Sequence, residues 1–468
     1  MMESGKDIYK SSRVFYVAEA AFEYFIAILI GGAYLAKITS AIGMSDGLTG
    51  VLFSFVSLGA GVQIFALFFA DRRSVKGYVT VLHTINQLCF AVIYLVPLFN
   101  ISKSVKIVIF IVLLLGGQMI SNIMNASKVN WLMALVPDKN RGRFTATKEI
   151  VSLIGGTAFS FAAGAVIDGF ESAGNLNGAF IVGAAAIFVF AVLHSMTLIF
   201  SKEKVNEKSV AHGKVMRDIK ALLKNKTVLK ILLLQALWNI AIFSTQPFYG
   251  SYQINELGFS MTFIAVLSII YAVFRIVFSR IFGKFADKHT FVKMLNICYI
   301  VACASLCVNM FTVPANGKIF YTVFYTLQAV AMAGINSGAV NLIYDNVEPK
   351  QRMRAYALQQ SITGVIGFGT TTVMSLLVTF IQKNGNHFLG MNVYAQQVMS
   401  AIGALVVVLI LVYVNAIARF KKVDKDKAQA QGDGGAADQN TGEEITVDEN
   451  TGEETAVDGN TGEGVAGE

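Results

Sequence analysis

Long apolar segments recur along almost the whole chain, and this recurrence limits the fold more than any other feature. Each segment is about 20 residues long, the length at which an α-helix rising about 1.5 Å per residue crosses a hydrocarbon core of about 30 Å. Of the 468 residues, 54% are hydrophobic and 15% are charged, which excludes a soluble globular domain of this size. The solvent around the fold is therefore predicted to be lipid.

The pattern predicts twelve transmembrane helices, six in each half of the chain. The first half, residues 1–200, contains the segments 14–37, 47–70, 78–99, 106–136, 149–170 and 178–200. The second half, residues 229–420, contains the segments 229–252, 260–282, 291–313, 318–345, 356–382 and 393–418. The predicted fold class is an all-α polytopic membrane protein built from two six-helix bundles.

Two further parts of the chain are predicted to lie outside the membrane. Residues 201–228 form a basic linker whose simplest role is to join the halves, and the amphipathic stretch 215–224 within it could lie as a short helix on an anionic membrane surface. Residues 421–468 form a tail that carries, from residue 428 onward, eleven acidic and no basic residues and that repeats Asn-Thr-Gly-Glu with a period of ten. With few large apolar residues, the tail is predicted to be disordered.

The distribution of Lys and Arg predicts the orientation, because cytoplasmic loops carry an excess of these residues. With the N-terminus inside, nearly all of the basic residues between the apolar segments fall on the cytoplasmic side. The external segments then hold only Lys37, Lys103, Lys106, Lys318 and Lys383. The sequence therefore predicts a multi-pass protein of the plasma membrane with both termini in the cytoplasm.

An internal repeat relates the two halves. Eight residues recur at a constant offset of 211 positions. They are Asn125, Val129, Asn130, Val136, Lys139, Arg141, Arg143 and Ala146 in the first half, and Asn336, Val340, Asn341, Val347, Lys350, Arg352, Arg354 and Ala357 in the second. Duplication is the simplest explanation of this repeat. Parallel six-helix repeats are a construction of secondary transporters, which bind their substrates near the midplane where the halves meet.

At these residues, and at a second repeated motif, the sequence resembles the major facilitator superfamily. That family carries a Gly-x-Leu-Ala-Asp-Arg-x-Gly-Arg-Lys type motif after its second helix and a degenerate copy after its eighth. Here the second copy, Gly283–Lys288, keeps the opening glycine, whereas the first copy, Leu67–Arg72, has lost it. The resemblance covers about residues 1–420 and indicates the superfamily rather than a substrate class.

The resemblance implies a cytoplasmic gate of ion pairs that hold the outward-facing state and break on switching. Its members would be Asp71, Arg72, Arg141, Arg143, Asp287, Lys288, Arg352 and Arg354. A carboxylate beside the positive end of a helix is stabilised by about 0.3–1 kcal/mol, which suits a reversible contact. The alternative is that these charges only enforce the membrane topology.

Two carboxylates and two cations fall well inside apolar segments, where a charge costs about 2.5–3.5 kcal/mol and is usually retained for function or pairing. Glu19 and Glu23 share one face of the first helix, and Lys128 and Arg275 lie at a similar depth. We predict an ion-pair cluster in which Glu23 is the coupling carboxylate and Lys128 or Arg275 is its counter-ion or an anchor for an anionic substrate. The alternative is a static pair that pins helices together, with Glu19 reaching the interface.

Polar residues on the first, fourth, seventh and tenth helices would line the cavity if the packing of the superfamily applies. The candidates for substrate binding are Asn122, Asn125, Gln235, Trp238, Asn239, Gln246, Asn336 and Asn341. Amides around a Trp ring can bind a sugar or another polyol by hydrogen bonds and stacking. Intramembrane amides can equally join helices by hydrogen bonds of about 1 kcal/mol.

The sequence contains no nucleotide-binding, catalytic or metal-binding motif, so we expect no enzyme activity, cofactor, metal or nucleic-acid partner. The leading hypothesis is a monomeric secondary transporter of a small polar solute, sugar-like or an organic anion, with H⁺ as the coupling ion and Na⁺ as the alternative. Proton-driven efflux of drugs or metabolites is a second hypothesis. A transporter-like receptor or scaffold, whose acidic tail binds a cytosolic partner, is a third.

Overall fold

The structure, a computed structural model, describes residues 7–62, 74–137, 141–204, 219–347 and 349–418. Nearly all of these residues are helical, because lipid offers no hydrogen-bond partners and the backbone groups of a spanning segment must bond within the segment. Within the described ranges, ten helices are each long and apolar enough to cross a membrane, and one further span is a bent pair of helices.

The first half contains six helical segments, of which the first two are broken, and the described part of the second, Asp46–Val62, is shorter than a full span. They are α1 (Lys10–Leu29 and Gly32–Ile42), α2 (Asp46–Phe53 and Phe55–Val62), α3 (Lys76–Leu95, followed by the 3-10 turn Val96–Leu98), α4 (Lys103–Met133), α5 (Arg141–Ser172) and α6 (Leu176–Phe200). The two parts of α1 meet at an angle of 43°. Gly32 has a φ of +50° at this bend, a conformation that disfavours residues with a Cβ atom.

The second half contains six more spans and a short hairpin. The spans are α7 (Lys226–Phe243, continued by Gln246–Phe248, Tyr249–Ser251 and Tyr252–Glu256), α8 (Met261–Lys288), α9 (Phe291–Met310), α10 (Gly317–Asn346), α11 (Pro349–Lys383) and α12 (Ala395–Val412, followed by the π-helical turn Tyr413–Ala418). Between α11 and α12, β1 (His387–Phe388) pairs antiparallel with β2 (Met391–Asn392). Leu389 and Gly390 connect these strands with φ values of 49° and 81°, as a tight hairpin turn requires.

The predicted set of twelve helices in two groups of six is confirmed. The largest difference in length is in α5, which begins at Arg141 rather than at the expected residue 149 and ends at Ser172. In the linker, residues 219–224 are helical, and Ile219 and Leu222 are buried in the hydrophobic core. Their apolar face therefore packs on protein rather than on a membrane surface. The start of the amphipathic stretch and the acidic tail lie outside the described residues.

The packing of the helices follows the repeat. α1 packs against α5 and α6, and α3 packs against α4 and α6; in the second half, α9 packs against α10 and α12, and α8 against α10. The halves meet through α2 with α11, α5 with α8, and α1 with α7. In the repeat, α2 corresponds to α8 and α5 corresponds to α11, so the pair α2–α11 is equivalent to the pair α8–α5. This is the pseudo-two-fold relation expected of a duplicated bundle.

The two sides of the bundle differ in charge. We call the side at which α1 begins the basic side. There Arg13 Nη1 donates to Leu135 O at 3.1 Å, Lys202 N donates to Ser12 Oγ at 3.0 Å, and Lys76 N donates to Glu203 Oε1 at 3.2 Å. These contacts fasten the ends of α1, α3, α4 and α6 together. The side at which α1 ends is called the opposite side below.

Candidate functional site

A buried ion-pair cluster joins α1 to α4 inside the first half. Lys128 Nζ donates to Glu19 Oε1 at 2.7 Å and also to Glu23 Oε2. Glu19 and Glu23 lie four residues apart on α1, and this spacing places both on one face of the helix. The side chains of Lys128 and Glu19 are each 2% exposed, whereas Glu23 is 30% exposed. Three of the four intramembrane charges chosen from the sequence are therefore in contact.

The cluster compensates charges that would be costly alone. Removing one partner of a buried ion pair typically costs about 3–5 kcal/mol, because the other charge is left without compensation. Lys128 avoids this cost for both carboxylates at once. Glu23 differs from the other two members in its exposure, so it is the member that water or a solute can reach.

Two histidines extend the cluster, and the sequence analysis did not select them. His194 on α6 places Nε2 3.1 Å from Glu19 Oε1, and its ring centroid lies 5.7 Å from that of His83 on α3. Both histidines are fully buried. The sequence could have indicated both histidines, because a His inside an apolar segment, like a Glu or a Lys, is rare and is usually retained for function or pairing.

Glu23, His83 and His194 each offer a donor atom, and these three atoms lie within 4.8 Å of one another. Two imidazoles and a carboxylate are ligand types that divalent transition metals accept. However, the Lys128 ammonium already bonds Glu23 and would repel a dication placed beside it. We therefore assign no metal site to this group.

A cavity of about 1200 Å³ lies between the two halves. Its wall includes Glu23 from α1, Gln246 from α7 and Arg275 from α8, and it reaches Lys148 and Arg280 near the basic side. Other polar and aromatic residues of the wall are Asn86, Gln87, Gln118, Tyr249, Gln253, Tyr271 and Tyr325. Arg275 thus lies in the cavity wall, and among the described contacts the cluster is completed by His194 rather than by Arg275.

Of the eight residues proposed for substrate binding, Gln246 lines this cavity. The other seven lie elsewhere in the described bundle, namely Asn122, Asn125, Gln235, Trp238, Asn239, Asn336 and Asn341. Three amides bond carbonyl groups one turn earlier in their own helices: Asn122 Nδ2 to Gln118 O at 2.9 Å, Asn239 Nδ2 to Gln235 O at 2.9 Å and Asn341 Nδ2 to Ser337 O at 3.0 Å.

The remaining members of this set are divided between core and surface. Trp238 is 6% exposed, and its ring packs against Tyr299 of α9 with centroids 5.5 Å apart. Gln235 is also buried, whereas the duplicated pair Asn125 and Asn336 is exposed. Polarity alone therefore did not select the face of each helix that lines the cavity.

On the opposite side, Asp168 holds the two halves together. This residue lies near the end of α5, and its Oδ1 and Oδ2 accept hydrogen bonds from Met261 N and Thr262 N at 2.8 Å each. These donors are the first free N–H groups of α8, where the helix dipole favours a negative charge.

A second carboxylate, Asp46 at the start of α2, makes the same kind of contact with the second half. It accepts from Asn255 Nδ2 and Gln382 Nε2, both at 2.6 Å. Beside it, the backbones of α1 and α7 touch, because a Cβ atom on Gly250 would lie 2.4 Å from Gly32 O. Neither Asp46 nor Asp168 was predicted from the sequence to have a role, because both lie at helix ends and look like ordinary surface carboxylates.

A sequence profile of the Major Facilitator Superfamily matches residues 19–325 and 247–442. The chain belongs to the major facilitator superfamily. The match agrees with the twelve-helix duplicated bundle and with a cavity between its halves. As a member of this superfamily the chain is a multi-pass membrane transporter, a class that is distinct from enzymes.

Solved transporters of the superfamily share the fold at low sequence identity. A variant of the nucleoside transporter NupG superposes with a TM-score of 0.68 at 13% identity, covering 88% of this chain and 100% of that one. The D-xylose-proton symporter superposes with a TM-score of 0.65 at 14% sequence identity, and the match covers 88% of this chain and 98% of the symporter. A bacterial homologue of the iron transporter ferroportin, in an inward-facing state, superposes with a TM-score of 0.63 at 14% sequence identity. The match covers 87% of this chain and 100% of the homologue. No curated protein sequence matches the chain.

The gate residues implied by the superfamily motif lie at or beyond the edges of the described segments. Asp71 and Arg72 lie outside the described residues. Arg141 and Arg143 lie at the start of α5, and Asp287 lies at the end of α8. At these three positions the helical backbone is described and the side chains are not.

Three gate residues have described side chains. Lys288 is exposed, Arg354 is half-buried, and Arg352 Nε donates to Val347 O at 3.2 Å. The cytoplasmic ion pairs therefore stay a prediction.

Proposed function

We propose that this superfamily member is a proton-coupled secondary transporter that moves a small polar solute across the plasma membrane by alternating access. The observation that carries the proposal is the position of Glu23, whose carboxylate lines the cavity and accepts a hydrogen bond from the buried Lys128. A carboxylate in this position can exchange a proton with the cavity, and its charge acts directly on Lys128. Solute binding and proton binding are thereby linked through one side chain.

Protonation of Glu23 removes one of the two negative partners of Lys128. Glu19, Glu23 and Lys128 together carry a net charge of −1 when all three are ionised, and one proton makes the group neutral. A neutral group is less costly than a charged one in the membrane interior. We therefore expect the loaded transporter to reorient with the proton bound.

The cavity wall favours a solute with several hydroxyl or carboxylate groups. Gln118 and Gln246 supply amides that both donate and accept hydrogen bonds, and Tyr271 and Tyr325 supply hydroxyl groups and ring faces on which a sugar can stack. Arg275 adds a planar cation suited to a carboxylate. We propose a sugar-like solute or an organic anion as the substrate.

We propose that the basic side faces the cytoplasm, with both termini there, and that the protein acts as a monomer. Cytoplasmic loops of membrane proteins carry the excess of Lys and Arg, which supports this orientation. The cavity reaches this side at Lys148 and Arg280, while Asp46 and Asp168 join the halves on the other side. The described state is then inward-facing.

Efflux of drugs or metabolites is the second candidate, favoured by the size of the cavity. Its volume of about 1200 Å³ exceeds the range of about 300–1000 Å³ that is usual for small-molecule sites. Aromatic side chains such as Tyr24, Phe53 and Phe90 also line it. The direction of proton movement separates the two candidates, since a symporter moves solute and proton together and an efflux antiporter moves them oppositely.

The proposal is tested in proteoliposomes with an internal pH dye, by screening sugars, organic acids and cationic drugs. We expect a solute-induced pH change in the wild type that is absent in Glu23→Gln, with solute exchange retained. Glu171→Gln is the matched control, because Glu171 pairs with Lys37 within the first half and lies outside the cavity wall. An unchanged pH signal in Glu23→Gln would make Glu23 structural and point to Na⁺ or to facilitated diffusion.

The scaffold hypothesis is tested with the same vesicles by deleting residues 428–468. The cavity and the ion-pair cluster lie entirely within residues 19–325. We therefore expect the shortened chain to keep its solute flux. Loss of a cellular signal with flux unchanged would assign the tail a binding role in addition to transport.

A further inference from the structure

His83 and His194 are buried beside the ion-pair cluster, and the proposed coupling through Glu23 does not use them. Both are 0% exposed, and they come from different helices, α3 and α6. A polar ring in the membrane interior is usually retained for a function or for a hydrogen-bonded partner. The question is therefore which proton each ring nitrogen carries.

The hydrogen bonds fix one of these protons. A carboxylate at Glu19 can only accept, so His194 Nε2, at 3.1 Å from Glu19 Oε1, must be the donor. His194 Nδ1 has no hydrogen-bond partner among the described residues, and neither has His83 Nδ1 or Nε2. His194 Nδ1 is then the nitrogen that is free to gain and lose a proton.

The spacing of Glu23, His83 and His194 suits proton transfer through water. One carboxylate oxygen of Glu23 and one ring nitrogen of each histidine lie within 4.8 Å of one another. One water molecule with hydrogen bonds of about 2.8 Å joins groups about 4.5 Å apart, and a buried water typically has about three polar partners. A carboxylate and two imidazoles meet both requirements.

The net negative charge of the cluster favours the binding of one proton. The carboxylates of Glu19 and Glu23 exceed the single ammonium of Lys128 by one negative charge. One proton restores neutrality, and it can reside on Glu23 or on His194. Tyr16 on α1 also faces the cluster, and Lys148 of α5 lies 5.0 Å from the centroid of the Tyr16 ring.

We propose that the coupling proton has two binding sites, the Glu23 carboxyl group at the cavity and the imidazole of His194 behind it, with His83 positioning the water between them. In the transfer, the Glu23 O–H bond breaks, the water gives up one proton to His194 Nδ1 and receives the proton of Glu23, and an imidazolium forms. His194 Nε2–H keeps its bond to Glu19 throughout. The inference rests on the proposed coupling role of Glu23, and it makes His83 a positioning residue.

The test follows histidine protonation by NMR and needs no solute. The chain contains five histidines, His83, His194, His212, His289 and His387. Full-length protein labelled with ¹⁵N-histidine is placed in lipid nanodiscs, and the ring nitrogen signals are recorded from about pH 5 to pH 9, where histidine titrates. His194→Gln and His83→Gln assign the two signals. If either variant fails to fold, replacing the other three histidines assigns them by elimination.

We expect the ring nitrogen signals of His194 to show an imidazolium in the wild type and to differ from those recorded in Glu23→Gln, because the substitution removes the charge of Glu23 beside the ring. The signal of His289, which follows the last residue of α8, serves as the internal control and should be the same in the wild type and in Glu23→Gln. In His83→Gln the imidazolium of His194 should still form, with proton exchange between the two sites slowed. A His194 signal that stays neutral throughout, or that ignores Glu23→Gln, overturns the proposal.

Two further readouts separate this inference from its alternatives. One equivalent of a divalent metal in the purified protein, lost in His83→Gln, would make the group a metal site and overturn the proton assignment. Vesicles in which no solute moves protons would overturn the proposed function, whereas the NMR result for the protonation of His194 would not depend on that outcome. If the solute-induced proton flux is lost in Glu23→Gln and the His194 signal stays that of a neutral imidazole, Glu23 is the sole proton site and the proposal is overturned.

Discussion

Lys128 Nζ lies 2.7 Å from Glu19 Oε1, and both side chains are 2% exposed. The contact joins α4 to α1 within one half of the bundle, so it does not open or close when the halves separate. Glu23, on the next turn of α1, is the exchangeable partner because its side chain reaches the cavity. The two carboxylates therefore differ in role: one fixes the ammonium, and the other can take up a proton.

Lys128→Met should destabilise the protein by about 3–5 kcal/mol, because it leaves two carboxylates near each other without a cation. Thermal unfolding in detergent, followed by intrinsic fluorescence, measures the effect as a lower midpoint. Lys106→Met is the control, since Lys106 Nζ donates to Pro97 O at 2.7 Å outside the cluster. Adding Glu19→Gln and Glu23→Gln should restore most of the lost stability. A midpoint unchanged by Lys128→Met would show that the cluster contributes little.

Gly250→Ala should weaken the contact between α1 and α7 on the opposite side. The added Cβ would lie 2.4 Å from Gly32 O, and overpacking of this kind costs about 1–3 kcal/mol. Spin labels at Asn177 and Asn384, which are exposed on that side in different halves, should then report longer distances. Gly169→Ala is the matched control, because a Cβ there meets no atom within 4 Å. Equal distance distributions in the two variants would contradict the prediction.

Asp168→Ala should also favour opening at the opposite side. The carboxylate accepts two backbone hydrogen bonds from the start of α8, and hydrogen bonds to charged groups contribute about 1.5–3 kcal/mol each. The same pair of spin labels should show the open population rising at least about tenfold, the factor that corresponds to about 1.4 kcal/mol. Asp168→Asn, which keeps one acceptor, should have a smaller effect. The prediction fails if both variants leave the open population at its wild-type value.

Arg275→Gln distinguishes the two substrate classes. Arg275 lies in the cavity wall, and a guanidinium binds a carboxylate through two parallel hydrogen bonds. If the substrate is an organic anion, KM should rise at least about tenfold, since truncating such a contact typically costs 2–5 kcal/mol. Uptake assays with labelled solutes measure this change. A sugar-like substrate should show a KM within about twofold of wild type, and Lys224→Gln in the linker provides the control for loss of a distant positive charge.

Residues that are unusual for their position could be selected from the sequence. Charges inside apolar segments are rare, so Glu19, Glu23 and Lys128 could be selected without a structure, and their contact follows from the depth of each along its helix. Amides are less distinctive. Asn122 and Asn239 bond carbonyls of their own helices, an arrangement that any intramembrane amide can adopt.

What the sequence determined by itself was the number of spans, the duplication and the identity of the buried charges, because hydrophobic length and charge cost act along the chain and need no knowledge of neighbours. What the tertiary structure decided was which helix faces which. The rotation of each helix about its axis is set by packing against other helices. This packing places His194 beside Glu19, Arg275 in the cavity wall and Asp168 at the start of α8.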